Sequence, residues 1–451
     1  MQIIVIGCGK VGIKLVSQLA REDKDNNITV IDTREEAVQL VSDTYDVMGI
    51  VGNGTSFKVL SEADIEHADM LIAVTSSDEV NLLCCVIAKR TKCLTVARVR
   101  NPVYSRERDF FRRELGLSMI INPEFEAALE VGRLFRYPFA IEVDRFAKGR
   151  ADLLRFRVPA DSSLAGRALK DLGRETQNVL ICIAEHEGKI CIPDGNYVIE
   201  SGDILSVIVD QYSSGQFFKR IGMRTNQIKN ALLIGGSRLS YYVAKILENT
   251  DIEVRIIERD MQRCEELADL LKKADIVNGN GSNHEFLREE RIDQFDAMLA
   301  SMKMDEENII LSLYARDKIH YKVVTDVSHI EVNGVIKNLD LDSIISPKSI
   351  TAETIVQFVR ATANGMGSNI ETLYQLLDGE VEALEFFIQP NAPVVGIPLM
   401  NLELRPNILI AGIVRKGKLI IPGGQDEITP GDSVIVVTTN TGFTDINDIL
   451  K

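Results

Sequence analysis

No stretch of this 451-residue chain stays apolar for long. The longest runs, such as Leu82 to Ala88, fall far below the roughly 18 residues that a membrane-spanning helix needs, which excludes direct insertion into a bilayer. A surplus of positive charge is missing too. Lys and Arg number 51 against 66 Asp and Glu, a formal net charge of −15, and a field of that sign repels phosphate backbones and anionic lipid headgroups. Nucleic acid is therefore not expected as a partner. At the N-terminus Met1-Gln2 leads straight into Ile3-Ile4-Val5-Ile6 with no basic segment ahead of it, so no export signal is expected. Cysteine is sparse: Cys8, Cys84, Cys85, Cys93, Cys182, Cys191 and Cys264 include no C-x-x-C pair, which points to reduced thiols packed as small hydrophobes, not to disulfides or zinc. The expectation is an acidic cytoplasmic protein that reaches a membrane only through a protein partner.

Catalytic signatures are also lacking. The chain contains no G-x-x-x-x-G-K-[ST], H-E-x-x-H or G-x-S-x-G, the marks of P-loop, zincin and serine-hydrolase chemistry. Its five histidines, His67, His186, His284, His320 and His329, are scattered. A dehydrogenase needs an acid or base held beside the substrate carbon, and His67, in Glu66-His67-Ala68-Asp69, reads as part of a loop entering a strand. No catalytic residue, no metal site and no enzyme activity are expected; an NAD-dependent oxidoreductase with duplicated domains is the alternative.

What the chain does have is repetition. With 45% hydrophobic and 26% charged residues it is compositionally an ordinary globular protein, and its length suggests about three domains. The repeats change that number. Gly52-Asn53-Gly54-Thr55 returns as Gly279-Asn280-Gly281-Ser282, Ala68-Asp69-Met70-Leu71-Ile72-Ala73 as Phe295-Asp296-Ala297-Met298-Leu299-Ala300, and Asp78-Glu79-x-Asn81 as Asp305-Glu306-x-Asn308, all at one spacing of about 227 residues. Smaller repeats follow each of these stretches: Gly166 to Leu172 resembles Gly396 to Leu402, and Ser201-Gly202-Asp203 resembles Pro430-Gly431-Asp432. The order is A, B, A′, B′, with expected domains 1–137, 138–227, 228–366 and 367–451. The A modules alternate β-branched runs (Ile3 to Ile6, Ile28 to Ile31, Met70 to Val74, Leu94 to Ala97) with amphipathic stretches, which predicts an α/β fold of two Rossmann-like doubly wound parallel sheets. Each B module predicts a small α+β C-lobe; the first has a helix over about Leu164 to Leu172 and antiparallel segments at Val179 to Ala184 and Ile204 to Val209.

Strand Ile3 to Ile6 runs into Gly7-Cys8-Gly9-Lys10-Val11-Gly12 and then a helix. In that context G-x-G-x-x-G has a mechanism: Gly7 makes the tight turn, Gly9 lets a pyrophosphate approach the backbone, Gly12 lets helix and strand pack closely, and the helix N-terminus faces the anion. Asp32 ends the second strand where a carboxylate accepts hydrogen bonds from a ribose diol and repels a 2′-phosphate. NAD(H) is therefore the expected ligand, with ATP or ADP offering the same adenosine diol. Further contacts are expected at the carboxyl ends of the other strands, from Asn53, Gly54, Ala73, Val74, Thr75 and Arg98. Asn-Gly is also a common turn, and Thr75 or Ser76 is placed to cap the helix beginning near Asp78. Arginines crowd Arg98 to Arg113; from Arg106 onward the reading is a solvated helix face paired with Glu107, Asp109 and Glu114. The second fingerprint, Gly235-Gly236-Ser237-Arg238-Leu239-Ser240, keeps only the first glycine, although Glu258 keeps the acidic position.

These residues together resemble the Trk-system potassium uptake regulators, the TrkA family, in which two regulator-of-potassium-conductance units each carry a nucleotide-binding N-lobe and a small C-lobe. The resemblance covers essentially the whole chain. It rests on the A-B-A′-B′ order, the fingerprint with Asp32, the Gly52 to Thr55 turn, and the Gly202-Asp203 and Gly431-Asp432 turns. It implies a peripheral cytoplasmic subunit at the inner face of the plasma membrane, assembled as a dimeric or tetrameric ring. That ring gates an integral-membrane potassium-translocating subunit of the TrkH or TrkG kind according to the bound nucleotide. It also implies that the segment Asn122-Pro123-Glu124 and the helix after it, to about Phe135, cross to a neighbouring lobe, and that Glu124 lies near the ligand cleft; Phe125, Ala128, Leu129, Gly132 and Phe135 recur there at helical spacing, an apolar face that suits either a partner or the core. A regulator of another cation channel or antiporter would use the same residues.

Overall fold

A computed structural model gives the architecture; it describes all residues except 23–25, 148, 177, 211–213, 224–226, 329–335, 337–338, 340, 365–369, 378–379, 441 and 444. The first parallel sheet has the spatial order Met48–Val51, Asn27–Asp32, Gln2–Ile6, Met70–Ala73, Leu94–Arg98, Met119–Ile121. Its chain reverses direction of travel beside the fingerprint strand, the switch point of a doubly wound sheet. The second repeats that order with Ala274–Asn278, Glu253–Glu258, Asn230–Ile234, Ala297–Ala300, Lys322–Asp326 and Ser343–Ile345. Alternate strand residues serve opposite faces, as a pleat requires. Ile3 and Val5 pack with Leu15, Val16 and Leu19 of the fingerprint helix Lys10–Glu22, while Ile4 and Ile6 pack with Leu71, Ala73 and Cys84 on the other side.

Neither N-lobe closes its core with its own last helix. Ala352, Ile355, Val356 and Val359 of the helix Pro347–Asn364 recur at helical spacing and fill the first N-lobe against Leu15 and Leu19. Conversely the helix Pro123–Arg136 sends Ala127, Ala128, Val131, Leu134 and Phe135 into a core shared with Leu239, Val243 and Leu247 of the second fingerprint helix, Arg238–Leu247. The expected crossing is therefore made within one chain. Its buried face is turned slightly from the expected stripe: Ala128 and Phe135 are buried together with Ala127, Val131 and Leu134, while Phe125, Leu129 and Gly132 flank the contact half-buried.

Each C-lobe is a five-stranded antiparallel sheet. The first has the order Lys189–Cys191, Val179–His186, Ile204–Val209, Ala151–Arg157, Glu142–Phe146, and the second, Lys418–Ile420, Ile408–Arg415, Ser433–Thr438, Val381–Phe387, Ile370–Leu376, follows it strand for strand. The two sheets pack face to face through Phe146, Leu153, Ile183 and Ile208 against Val381, Ala383, Ala411 and Ile435. The expected helix over Leu164 to Leu172 is not formed. Gly166 has φ +79, and the amides of Gly166, Leu169 and Lys170 donate to the carbonyls of Ile199, Tyr197 and Gly195, so the segment is tied across the lobe and only a 3-10 turn, Leu169–Asp171, remains. Residues 224–226 and 365–369, beside the expected boundaries at 227 and 366, lie outside the described residues. All seven cysteines are free and all but Cys191 are buried. Among the described residues no helix is long and apolar enough to cross a membrane.

Candidate functional site

The first fingerprint turn is shaped by what its glycines leave out. Gly7 has φ +107, and a Cβ on it would lie 2.9 Å from the Thr75 amide nitrogen; a Cβ on Gly12 would overlap the Gly7 carbonyl oxygen. Those two glycines are required by packing alone. Gly9 differs: nothing lies within 4 Å of where its Cβ would be. It precedes the helix Lys10–Glu22 and accepts the Ile13 amide through its carbonyl, yet offers no side chain to cap the helix, so the positive end of that helix opens onto free space.

Asp32 reaches this turn from the next strand. Its Oδ2 accepts the Cys8 amide at 2.7 Å, and its Oδ1 accepts the Arg34 amide at 3.0 Å and Arg34 Nε at 3.2 Å. Burial works against its charged form, but the bonds from Arg34 and Cys8 prevail and hold its pKa below the usual carboxylate value. Each carboxylate oxygen has two lone-pair positions, which leaves acceptor capacity for a diol. Arg34 also donates to the Cys8 carbonyl at 3.3 Å. Burial and the nearby Asp32 push the Cys8 thiol up to about 11, so Cys8 serves through its backbone. Lys10 is exposed and Val11 buried at the start of the helix.

The other expected residues meet along the same carboxyl edge. Asn53 is exposed, and its Oδ1 accepts Thr55 N at 3.0 Å and Thr55 Oγ1 at 2.9 Å, a self-contained turn. Gly54 is buried where a Cβ would overlap Ile6. Ala73 and Val74 are buried at the strand end. The Thr75 amide donates to Asn81 Oδ1 at 2.8 Å, and Asn81 Nδ2 donates to the carbonyls of Thr75 and Arg98. The cap of the helix Asp78–Ala88 is Ser77, not Thr75 or Ser76, since Thr75 is held by Asn81. Arg98 Nη1 donates to the Thr75 carbonyl at 2.9 Å, while Arg98 Nε is buried with no hydrogen-bond partner. Burial, then repulsion from Arg100, lowers the pKa of Arg98, with Arg238 of the second N-lobe adding to that repulsion. Glu124 is buried and ion-paired through Oε1 to Arg100, and its Oε2 has no partner.

Sequence reading missed the bracing. Asn81 is fully buried, and Asp78 Oδ2 accepts the amides of Arg100 and Asn101 at 2.9 and 2.7 Å. The repeat of Asp78-x-x-Asn81 as Asp305-x-x-Asn308 was the available signal, since a polar pair kept in both copies at one register has a shared structural task. From residue 108 the expected solvated face is seen, since the helix Arg108–Leu115 has no buried residue, but among the described residues the expected ion pairs are not: Arg113 Nε donates to the Asp109 backbone carbonyl at 3.2 Å and the Arg108 guanidinium lies over the Phe125 ring. The Arg106 side chain lies outside the described part. His67 sits exposed on Asp64, which also accepts from Gln2, at the amino edge of the sheet, opposite the fingerprint. His186 bonds Asp203, His284 stacks on Tyr314 and His320 meets Asp296; His329 lies outside the described residues. None of the described four joins the crevice.

A TrkA-N domain model matches residues 3–123 and 231–347, and a TrkA-C domain model matches residues 153–222 and 383–451. The chain is similar to the Trk system potassium uptake protein TrkA homolog of Archaeoglobus fulgidus, at 31% identity over 452 residues with 100% of both chains covered. It is similar to the Trk system potassium uptake protein TrkA of Haemophilus influenzae, at 30% identity over 445 residues, covering 97% of this chain and 95% of the relative. Among solved structures it is similar to the GsuK channel bound to NAD, with a TM-score of 0.62 and 16% identity, covering 97% of this chain and 76% of that one. At that identity the likeness is one of fold.

Proposed function

The chain belongs to the family built from TrkA-N and TrkA-C domains, and from that premise we propose that it is the nucleotide-binding regulatory subunit of a potassium uptake system. It works at the cytoplasmic face of the membrane, bound to an integral-membrane potassium translocator, as a homo-oligomer, and has no catalytic step of its own. Its domains run 1–137, 138–227, 228–366 and 367–451. The ligand is NAD(H), with ATP or ADP as the competing nucleotides. One observation carries this reading: the free space beside Gly9, which offers the helix no side-chain cap, and the buried, partnerless Arg98 Nε lie on the same carboxyl edge of one parallel sheet. A diphosphate is the group whose charge and acceptors suit both.

When bound, the nucleotide supplies a diphosphate and a ribose diol as handles for the protein. The amides of Gly9, Lys10, Val11 and Gly12 and the Arg98 guanidinium would hold the diphosphate, and Asp32 the diol. Gly7 and Cys8 shape the turn, and Asn53, Gly54, Ala73, Val74 and Thr75 form the floor. Occupancy can move a pore only through differential affinity for two arrangements of the lobes. Titration calorimetry of the full chain with NADH, NAD, ATP and ADP tests the reading. We expect saturable binding that Asp32→Ala weakens about tenfold to a hundredfold, the equivalent of one or two charge-assisted hydrogen bonds. Unchanged NADH affinity in Asp32→Ala would remove this placement, and steady turnover of NADH with a small carbonyl compound would remove the non-enzymatic reading.

A further inference from the structure

We infer that the chain takes one nucleotide, in the first crevice only, because in the second N-lobe a chain of hydroxyls ending on a carboxylate occupies the place of the diphosphate. The inference rests on the nucleotide reading above and adds its stoichiometry.

The adenosine ends of the two crevices are built alike. Glu258 Oε2 accepts the Gly236 amide at 2.6 Å, as Asp32 accepts that of Cys8, and Arg263 donates to the Gly236 carbonyl at 2.8 Å, as Arg34 does to Cys8. The braces match as well: Asn308 holds Met302 and the Asp326 carbonyl as Asn81 holds Thr75 and Arg98. The phosphate ends differ in three independent respects.

Ser237 stands in the place of Gly9, and its Oγ accepts the Ser240 amide at 3.1 Å, capping the second fingerprint helix from within. The helix start that is open in the first copy is therefore satisfied in the second. The same oxygen lies 2.7 Å from Ser301 Oγ, which donates to Asp326 Oδ2 at 3.2 Å, and Ser328 Oγ donates to Asp326 Oδ1 at 2.6 Å. Next, the buried Asp326 ends its strand where the half-buried Arg98 ends the first, so the sign of the charge at that edge is reversed. Burial, opposed by those serines and reinforced by Asp305 and Glu124, raises its pKa to about 6; at neutral pH a phosphate there meets a carboxylate, not a guanidinium. Last, a Cβ at Gly12 would strike the Gly7 carbonyl, yet the corresponding position carries the fully buried Ser240, so the second fingerprint helix cannot lie as close to its turn as the first does.

Calorimetry of the full-length protein with NADH and with ADP gives the number of sites. We expect one per chain, unchanged in Glu258→Gln and weakened at least tenfold in Asp32→Ala. Photolabelling of the unmodified chain with an azido-adenine nucleotide, read by peptide mapping, needs no variant to fold; label is expected only in peptides from residues 1–121. Two sites per chain, a site lost in Glu258→Gln, or label in peptides around Glu258 and Asn280 would overturn the single-site inference and leave the proposed function standing. No binding at all would overturn both.

Discussion

At the scale of single residues, the three glycines of the first fingerprint separate folding from binding. Gly12 is a packing glycine: Gly12→Ala forces its Cβ onto the Gly7 carbonyl. Overpacking of this kind costs about 1–3 kcal/mol, so a urea titration of Gly12→Ala should show lost stability along with lost binding. Gly9→Ser has room for its side chain and gains a helix cap worth a few tenths of a kcal/mol. That variant should keep or slightly raise the urea midpoint while losing at least tenfold in NADH affinity; affinity equal to the parent would mean that the space beside Gly9 holds no phosphate. Asp326 makes a further residue-scale prediction. Burial lifts its pKa from 3.8 to about 6, so the native chain binds more protons than the unfolded chain between those values. Stability then falls as pH rises through that window, and the whole penalty is present above it. At about 1.4 kcal/mol per pKa unit the penalty is on the order of 3 kcal/mol. Asp326→Asn should therefore stabilise the chain by about 1–3 kcal/mol at pH 8 and hardly at all near pH 4, measured by denaturant melts at the two values. A variant less stable than the parent at pH 8 would show that the carboxylate is wanted charged.

At the scale of elements, the helix Pro123–Arg136 shows both what could be read in advance and what could not. Its start was legible: Asn122 caps it by accepting the Phe125 amide at 3.0 Å, and Pro123 occupies the first turn, where a missing N–H costs nothing. Its partner was not legible, since an apolar stripe says that a helix is buried without saying against what. Asn122 Nδ2 to Tyr242 OH at 3.0 Å and the edge-to-face pair of Phe125 and Tyr242 join residues about a quarter of the chain apart in sequence. The strands and their alternation were readable because a period of two is local. The supposed helix at Leu164 was misread because its amides bond to residues some thirty positions on, and Gly166 with a positive φ was the overlooked warning. Phe135 lies in the shared core with 1% of its surface exposed. Phe135→Ala should cost about 3–5 kcal/mol. Because that core joins the first C-lobe to the second N-lobe, the loss should appear as a lower midpoint of one cooperative transition. Two separated transitions would show that the halves unfold independently.

At the scale of the whole molecule, the exchange of helices makes the chain its own symmetric partner. The first N-lobe borrows Pro347–Asn364, the second borrows Pro123–Arg136, and the two C-lobe sheets cover one another. Lys322 tightens the exchange: fully buried, its Nζ donates to the Ala140 carbonyl at 2.6 Å and to Asp342 at 2.9 Å, tying the start of the first C-lobe to the second N-lobe. In such a molecule a change at one crevice would reach the other lobes through the shared cores, which is what a nucleotide-driven shift of lobe geometry requires. It also predicts how half a molecule behaves. A fragment of residues 1–227 keeps the fingerprint helix Lys10–Glu22, the helix Pro123–Arg136 and one C-lobe sheet, and leaves each with an uncovered apolar face. A second copy supplies the same three elements, and because the two halves of the chain repeat one element order, the helix Pro123–Arg136 of each copy is expected to lie on the fingerprint helix of the other while the C-lobe sheets meet. Burying faces of this size outweighs the entropy of association once the fragments are concentrated. The fragment should therefore run as a dimer in light scattering coupled to size exclusion, whereas Phe135→Ala in the same fragment should weaken the dimer. A stable monomer with an intact fold would mean that each half closes its own core, and that the exchange of helices does not hold the molecule together.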